Sequence, residues 1–203
     1  MLRLLDRKMA IKFLKKFKDQ QAIRRLKSRD REAFVKVYDE NVNEIHRFVY
    51  FKVGNREEAN DLTSVIFLKA WHHIQNKTLE DSNTLRGLLY KIARTSIIDY
   101  YRETGGKKTA SLDDETKKID LIDDTINPQE KIDSADNLEL IMKQLPRLKD
   151  EYREVIIMRF INDLSLDEIA EISGKKKGNV RVLLHRALTA LRELVEESEA
   201  DKK

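Results

Sequence analysis

The chain has 203 residues, enough for one large domain or two small ones, and 37% of them are charged while only 7% are aromatic. This composition favours a helical protein with a large polar surface over a β-sandwich. The absence of cysteine excludes disulfides, thiolate-bound zinc and a cysteine nucleophile. No apolar run approaches the roughly 20 residues that cross a bilayer, and no apolar leader opens the sequence, so we expect a cytoplasmic protein without an integral membrane segment.

Charge is unevenly distributed along the chain, although the net charge is only +4. Residues 1–27 contain ten lysines and arginines against two aspartates, whereas residues 105–137 contain nine acidic residues against five lysines. This asymmetry predicts a polyanionic partner for the basic parts and a solvated role for the acidic stretch. Taken alone, the charges are equally compatible with a role in solubility.

After a basic extension over residues 1–18, apolar side chains recur at helical spacing over residues 19–104. The apolar positions form three stripes, which lie within residues 34–49, 62–71 and 85–100. A repeat of three to four residues predicts amphipathic helices, so we expect three or four helices packed into a first domain. Trp71 ends the second stripe, and we interpret it as part of the core.

Polar residues ahead of the stripes predict where two of the helices begin. Asn55 stands ahead of an acidic first turn, and Asp81 or Ser82 stands ahead of the third stripe. Side-chain oxygens at such positions accept hydrogen bonds from the first unpaired amides of a helix. Residues 105–137 then lack a sustained apolar face and include Pro128, which predicts a flexible linker.

Helical periodicity returns over residues 138–197 and is followed by a polar tail, residues 198–203. Pro146 stands where the first turn of a helix tolerates a missing amide hydrogen. The sequence therefore predicts an all-α protein of two small helical domains joined by a flexible acidic linker.

The second domain contains the spacing of a helix-turn-helix in the segment SLDEIAEISGKKKGNVRVLLHRAL, residues 165–188. The small Ala170 allows close helix crossing, Gly174 supplies a left-handed turn, and Val180 anchors the second helix. At 100° per residue, the inward face of that helix consists of Val180, Leu183, Leu184, Ala187 and Leu191. The motif predicts DNA binding, and the alternative is a helical hairpin used for protein packing.

The outward and flanking positions of the second helix suit duplex DNA. Lysine and arginine bind phosphates, asparagine can form two hydrogen bonds to adenine, and valine can contact a thymine methyl group or else a protein. The candidate residues for this interface are Lys175, Lys176, Lys177, Asn179, Arg181, Val182, His185 and Arg186.

Two parts of the chain together resemble a known family. From Met142, the sequence MKQLPRLKDEYREVIIMRFINDLSLDEIAEISG, continued by GNVRVLLHRALTALREL, is similar to region four of the extracytoplasmic-function sigma factors, which are small bacterial initiation subunits of RNA polymerase. The segments DREAFVKVYDENVNEIHRFVYFKVGNREEANDLTSVIFLKAW and LRGLLYKIARTSIIDYYR resemble region two of the same family. The resemblance covers residues 20–104 and 138–196.

The resemblance implies that the chain binds core RNA polymerase and promoter DNA. In the family, region two docks on the clamp helices of the largest subunit, region four binds the flap of the second-largest subunit, and the linker passes through the active-centre cleft. The docking helix corresponds to the segment that begins NDLTSVIFLKAW, so the resemblance assigns polymerase contacts to Asp61, Leu62, Ile66 and Phe67. Region four is expected to bind the minus-thirty-five element.

The resemblance also implies that region two captures the minus-ten element as single-stranded DNA. Cations along the backbone and aromatic rings against unstacked bases suit that task. The candidate residues are Lys91, Arg94, Tyr100, Tyr101 and Arg102. The polar segment NKTLEDSNTLR corresponds to the loop that forms the family's pocket for a flipped base.

Several positions depart from the family pattern. In the docking helix, Ser64 and Val65 replace an amide and an acid of the family pattern. In the next motif, Leu88 and Thr95 replace a tryptophan and an asparagine. In the recognition helix, Val182 and Leu183 replace a hydroxyl and a guanidinium. The basic extension lies outside the pattern as well. It is either an amphipathic arm for DNA, polymerase or an acidic membrane surface, or a flexible tail.

We therefore expect an alternative sigma factor that has no enzymatic activity, cofactor or metal site of its own. One alternative is a polymerase-binding subunit that another protein brings to DNA, in which case the face around Val182 contacts that recruiter. The other alternative is a stand-alone dimeric helix-turn-helix regulator. An anti-sigma factor is a further candidate partner.

Overall fold

The structure is a computed structural model that describes residues 21–76, 84–105 and 143–200. Within these ranges every regular element is helical, which confirms the all-α prediction. Contacts within the chain divide it into an N-terminal and a C-terminal unit. The predictions for the basic extension, for residues 77–83 and for nearly all of the acidic linker fall outside the described residues. None of the described helices combines the length and the apolar composition that a bilayer crossing requires.

The described part of the N-terminal unit consists of α1 (residues 21–27), α2 (Arg31–Val53), α3 (Arg56–Asn76) and α4 (Leu85–Glu103). Asp30 caps the start of α2, because its carboxylate accepts a hydrogen bond from the amide of Ala33 at 3.1 Å. The Arg25 guanidinium of α1 donates to the same carboxylate at 2.7 Å, and this bond lowers the pKa of Asp30. One carboxylate therefore starts α2 and ties α1 to it.

The connection between α2 and α3 is a tight turn built from one glycine and one asparagine. Gly54 has a left-handed φ of 77° and donates its amide to the carbonyl of Tyr50 at 2.8 Å, which ends α2. The Asn55 side chain accepts hydrogen bonds from the amides of Glu57 and Glu58 at 2.8 and 3.2 Å. The prediction that Asn55 starts a helix is confirmed.

Helix α4 begins later in the sequence than predicted. Its cap is Thr84, whose hydroxyl oxygen accepts a hydrogen bond from the amide of Gly87 at 3.0 Å, so the prediction of Asp81 or Ser82 as the cap is wrong. Aspartate, serine and threonine are all favoured as helix caps, so several residues in this part of the sequence were candidates for the cap. The cap is the one directly ahead of the first core residue, Leu85.

The helices of the N-terminal unit enclose an apolar core. One cluster of buried residues joins all four helices and consists of Leu26, Ala33, Val37, Ile74, Leu85 and Leu88. Trp71 packs against this cluster and meets the ring of Phe34 edge-on, with ring centroids 4.9 Å apart. The interpretation of Trp71 as a core residue is confirmed.

A polar cluster inside the same unit joins α2 to α4. One carboxylate oxygen of Glu44 accepts hydrogen bonds from the Arg86 guanidinium at 2.7 Å and from the Tyr90 hydroxyl at 2.6 Å. The Tyr90 side chain is fully buried, and Phe48 meets its ring edge-on at 5.1 Å. Because burial and the charge of Glu44 both raise the pKa of Tyr90, its hydroxyl remains a donor across the physiological pH range.

A second contact fastens α4 to α2 nearer the C-terminus of both helices. The Tyr101 hydroxyl donates to the backbone carbonyl of Lys52 at 2.6 Å. Tyr90 and Tyr101 are three helical turns apart and lie on the same side of α4, since eleven residues correspond to about 1100° of rotation. Two anchors on one side fix both the position and the rotation of the helix.

The described part of the C-terminal unit begins with two helical residues, 143 and 144, which lead into a single 3₁₀ turn and then three helices. The elements are the turn Leu145–Arg147, α5 (Asp150–Ile156) with a π-helical extension over Ile157–Ile161, α6 (Leu166–Ser173) and α7 (Lys177–Ala200). Pro146 occupies the 3₁₀ turn, where its missing amide hydrogen leaves no bond unmade. Helix α5 packs along α7 over a core that includes Leu148, Val155, Ile156, Met158, Leu164, Ile169, Val180, Leu184, Ala187 and Leu191.

We predict that the Glu44 cluster is a main determinant of N-terminal stability. Glu44→Gln removes the charge that compensates Arg86 and lowers the free energy of unfolding by about 2–4 kcal/mol, while Tyr90→Phe removes one hydrogen bond and lowers it by about 1 kcal/mol. Trp71 is the single tryptophan of the chain, so its fluorescence in a urea titration reports this unit alone.

The matched control for this prediction is Glu40→Gln, which removes the same charge from an exposed site on the same helix. It is expected to change the free energy of unfolding by less than about 0.5 kcal/mol. Equal losses in the Glu44 and Glu40 variants would contradict the assignment.

Candidate nucleic-acid interface

The predicted docking residues on α3 do not share one environment. Asp61 is exposed and Leu62 is half-buried, but Ile66 and Phe67 are buried, with 0% and 2% of their surface exposed. The Phe67 ring packs on Tyr38 of α2, with centroids 4.8 Å apart. The structure does not support the predicted direct contact of Ile66 and Phe67 with polymerase, because both side chains face the core. They position α3 instead.

Two exposed apolar side chains lie on the outer side of α3, and neither is among the docking residues predicted from the sequence. Val65 and Leu68 are 41% and 56% exposed. Together with Asp61 and His72, which are also exposed, they follow the spacing of one helix face. The spacing of this face is visible in the sequence, but the neighbouring core stripe has the same period, so spacing alone does not separate the two faces. Exposed large apolar residues on one face indicate a contact surface.

The candidate cations for single-stranded DNA lie along α4. Arg102 is exposed, whereas Lys91 and Arg94 are half-buried. Asp99 lies between this group and α3, 3.9 Å from the Arg102 guanidinium and 3.6 Å from the Lys69 ammonium. Both separations are longer than a direct hydrogen bond, so Arg102 and Lys69 remain able to exchange Asp99 for a phosphate.

The two candidate tyrosines of α4 are half-buried, and both hydroxyls are engaged within the unit. Tyr101 donates to the Lys52 carbonyl, and a hydrogen bond to Glu58 raises the pKa of Tyr100 to about 12. The two rings contact each other edge-on at 5.3 Å. A nucleic acid could therefore use the ring faces for stacking, but the hydroxyls already have partners.

The first helix of the predicted helix-turn-helix, α6, starts with a capping box. The Glu168 carboxylate accepts from both the amide and the hydroxyl of Ser165, at 2.9 and 2.8 Å, and the Glu168 amide donates to the Ser165 hydroxyl at 3.3 Å. At the other end of α6, Gly174 has a φ of 68°, and the Lys175 amide donates to the Ala170 carbonyl at 3.1 Å. The predicted left-handed turn at Gly174 is confirmed.

Helix α7 has the two faces that the sequence predicts, except at three positions. Its inward side chains Val180, Leu184, Ala187 and Leu191 are buried, and its outer side chains Asn179, Arg181 and Arg186 are exposed. Leu183, predicted inward, and Val182 and His185, predicted outward, are half-buried. Val182 lies on the side of α7 opposite Val180, as expected, but it is only partly exposed.

The lysines at the entrance of α7 are not equivalent. The Lys177 ammonium lies 2.9 Å from the Asp167 carboxylate of α6, and the Lys175 ammonium lies 3.7 Å from the Glu151 carboxylate of α5. For Lys176, within the part of the chain that the structure describes, no acidic partner is found. Neither Asp167 nor Glu151 was predicted from the sequence, because these pairs depend on how three helices pack.

Comparison with known proteins finds similarity in both units. Residues 37–106 match the family described as Sigma-70 region 2, and residues 138–191 match Sigma-70, region 4. The ECF RNA polymerase sigma factor SigW of Bacillus subtilis (strain 168) is 29% identical over 181 residues, which cover 85% of this chain and 94% of SigW. The RNA polymerase sigma factor SigV of the same strain is 32% identical over 149 residues, which cover 73% of this chain and 82% of SigV.

The fold is also similar to a solved structure. The sigma factor RpoE, in its complex with the anti-sigma factor NepR from Bartonella quintana, aligns with a TM-score of 0.57 at 21% identity. The alignment covers 80% of this chain and 96% of that one. At this level of identity the likeness concerns the helical fold.

We predict opposite effects for two glycines at the entrance of α7. Gly174→Ala places a side chain on a left-handed backbone and lowers the free energy of unfolding of the C-terminal unit by about 1–2 kcal/mol. Gly178→Ala, inside the helix and with open space around it, raises that free energy by up to about 1 kcal/mol. Circular dichroism in urea measures both changes, and a stabilising Gly174→Ala would refute the turn geometry.

Proposed function

Because the chain belongs to the extracytoplasmic-function sigma factors of RNA polymerase, we propose that its two helical units divide the recognition of a two-part promoter between them. The chain is an alternative sigma factor, which binds core RNA polymerase and promoter DNA and directs promoter-specific transcription. The observation that carries the function is the presence of both sigma regions in one chain, in family order.

The proposed domain boundaries follow the breaks in the sequence pattern. The ranges are the basic extension 1–18, region two 19–104, the acidic linker 105–137, region four 138–197 and the tail 198–203. An acidic linker suits the active-centre cleft of polymerase, because that cleft is a basic path for nucleic acid. Negative charge can occupy the path until RNA displaces it.

For polymerase docking, we assign the outer side of α3. Leu62, Val65 and Leu68 offer apolar contact area to the clamp helices of the largest subunit, and Asp61 offers a charge at the N-terminal end of that surface. Ile66 and Phe67 support the surface from inside the unit.

For the minus-ten element, we assign α4. The cations Lys91, Arg94 and Arg102 follow the strand backbone, and the ring faces of Tyr100 and Tyr101 stack on unpaired bases. Anchoring of α4 at Glu44 and Lys52 supports this proposal, because a fixed helix can hold a melted strand in one register.

For the minus-thirty-five element, we assign the entrance and outer side of α7, while region four contacts the flap of the second-largest subunit. Lys175, Lys176, Lys177, Arg181 and Arg186 bind phosphates, Asn179 contacts a base edge, and Val182 and His185 line the groove. Half-burial of Val182 and His185 gives them less reach than Asn179 and Arg181.

Three further aspects of the function are part of the proposal. The chain contributes no catalytic residue, since polymerase performs the chemistry of RNA synthesis. It acts in the cytoplasm, where core polymerase and promoters are found. An anti-sigma factor binds it, by analogy with the complex of RpoE and NepR.

The function is tested by reconstituting the full chain with core polymerase and sequencing RNA 5′ ends made from genomic DNA in vitro. We expect start sites that share a two-part promoter and are absent with core alone. Core binding without defined starts would favour the alternative in which another protein recruits the complex. A stable homodimer on palindromic DNA that ignores core would favour the stand-alone regulator.

The docking surface is tested with a matched pair of variants. Leu68→Glu places a charge in an apolar contact and is expected to weaken binding to core on the order of 10- to 100-fold, the equivalent of losing one buried leucine. Val35→Glu makes the same change at a 55% exposed residue of α2 and should have less than a twofold effect. Fluorescence anisotropy with labelled chain measures both, and equal effects would rule out the α3 surface.

A further inference from the structure

The entrance of α7 combines a positive helix end with a cluster of lysines. Helix α7 begins at Lys177 and has no acidic residue in its first turn, so the free amides at this end carry partial positive charge. Lys175 and Lys176 directly precede the helix. An entrance of this kind attracts the phosphates of any duplex DNA, whatever its sequence.

Acidic residues from other helices reduce this attraction. Asp167, in the first turn of α6, lies within hydrogen-bond distance of Lys177, at 2.9 Å. Glu151 of α5 lies farther from Lys175, at 3.7 Å, which is beyond a direct hydrogen bond. The Asp167 contact is therefore the tighter of the two.

We propose that Asp167 is a positioning residue that withholds Lys177 from DNA and so keeps the sequence-independent affinity of the C-terminal unit low. The inference rests on the proposed function of α7 as a DNA-binding helix. A phosphate can engage Lys177 only by displacing the Asp167 carboxylate or by sharing the ammonium with it.

The fold does not depend on this ion pair, which points to a role in binding. The side chains of Lys177 and Asp167 are 51% and 66% exposed, and pairs this exposed contribute little to stability. The start of α6 is already capped by Ser165 and Glu168. Asp167→Asn therefore leaves the cap intact and replaces one carboxylate oxygen with an amide.

The expected effect is the same for all duplex sequences, because phosphate contacts carry no sequence information. Asp167→Asn is expected to tighten binding about 3- to 10-fold near 100 mM salt, on promoter and scrambled duplexes alike. One more phosphate contact steepens the dependence of log K on log salt by about 0.9. A purely structural role would leave that slope unchanged.

The matched control is Glu193→Gln, which removes the same charge from an exposed site on α7. Glu193 lies sixteen residues beyond Lys177, about 24 Å along the helix and more than two Debye lengths away at 0.1 M salt. It corrects for the change in net charge. A Glu151→Gln variant is expected to fall between the two, because its ion pair is longer.

The experiment measures binding of the full chain to a labelled minus-thirty-five duplex and to a scrambled duplex between 50 and 200 mM salt, by fluorescence anisotropy. It includes Asp167→Asn in the wild-type and in the Lys177→Ala background. We expect the gain to fall below twofold when Lys177 is absent, because Asp167 acts through it. A gain that persists without Lys177, or a gain and slope equal to those of Glu193→Gln, would overturn the inference.

Failure of the inference and failure of the proposed function give different results. If reconstituted polymerase lacks defined start sites with the wild-type chain, the proposed function fails. If the start sites are defined but Asp167→Asn behaves like Glu193→Gln, only the role of Asp167 fails.

Discussion

The N-terminal unit depends on one carboxylate that accepts two donors from another helix. Glu44 binds both Arg86 and Tyr90, and these residues lie 42 and 46 positions away in the sequence. The Arg86–Glu44 pair is partly buried, so desolvation offsets part of its attraction, but removing one partner leaves the other charge uncompensated. The pair also fixes geometry, because both donors reach Glu44 only when α4 has one particular rotation about its axis and one particular position along α2. The Tyr101 contact to the Lys52 carbonyl repeats the constraint three turns later.

A helix fixed in this way is a suitable support for single-stranded DNA. A melted strand has no shape of its own, so the spacing of the protein's cations must supply the register. Lys91, Arg94 and Arg102 lie on the helix that the two anchors hold. The C-terminal unit meets a different requirement, because duplex DNA has a regular shape and attracts any cationic surface. There the acidic neighbours of Lys175 and Lys177 limit the attraction, and Asn179 and Arg181 remain exposed at the start of the recognition helix.

Local patterns predicted the features of the chain that depend on local sequence. The cap at Asn55, the turn at Gly174 and most of the buried side of α7 follow from spacing and backbone preference. The start of α4 did not, because several residues near Thr84 have similar capping preferences. Ile66 and Phe67 lie within the predicted apolar stripe over residues 62–71, but the family motif assigned them polymerase contacts. The motif marks α3 as a docking helix, and its core side and outer side share one period. The pairs Glu44–Arg86 and Asp167–Lys177 join separate helices, and no periodicity within one helix could predict them.

In the N-terminal unit, the fixed position of α4 supports the capture of single-stranded DNA. In the C-terminal unit, the acidic neighbours of the lysines at α7 limit the attraction to duplex DNA. The most direct test of strand capture is the permanganate reactivity of thymines in a promoter bound by core polymerase, with and without the chain. Unpaired thymines react, so the assay locates melted DNA. We expect reactive thymines confined to the minus-ten element and the start site, and only when the chain is present. A promoter that is bound in the presence of the chain but shows no reactive thymines would contradict strand capture.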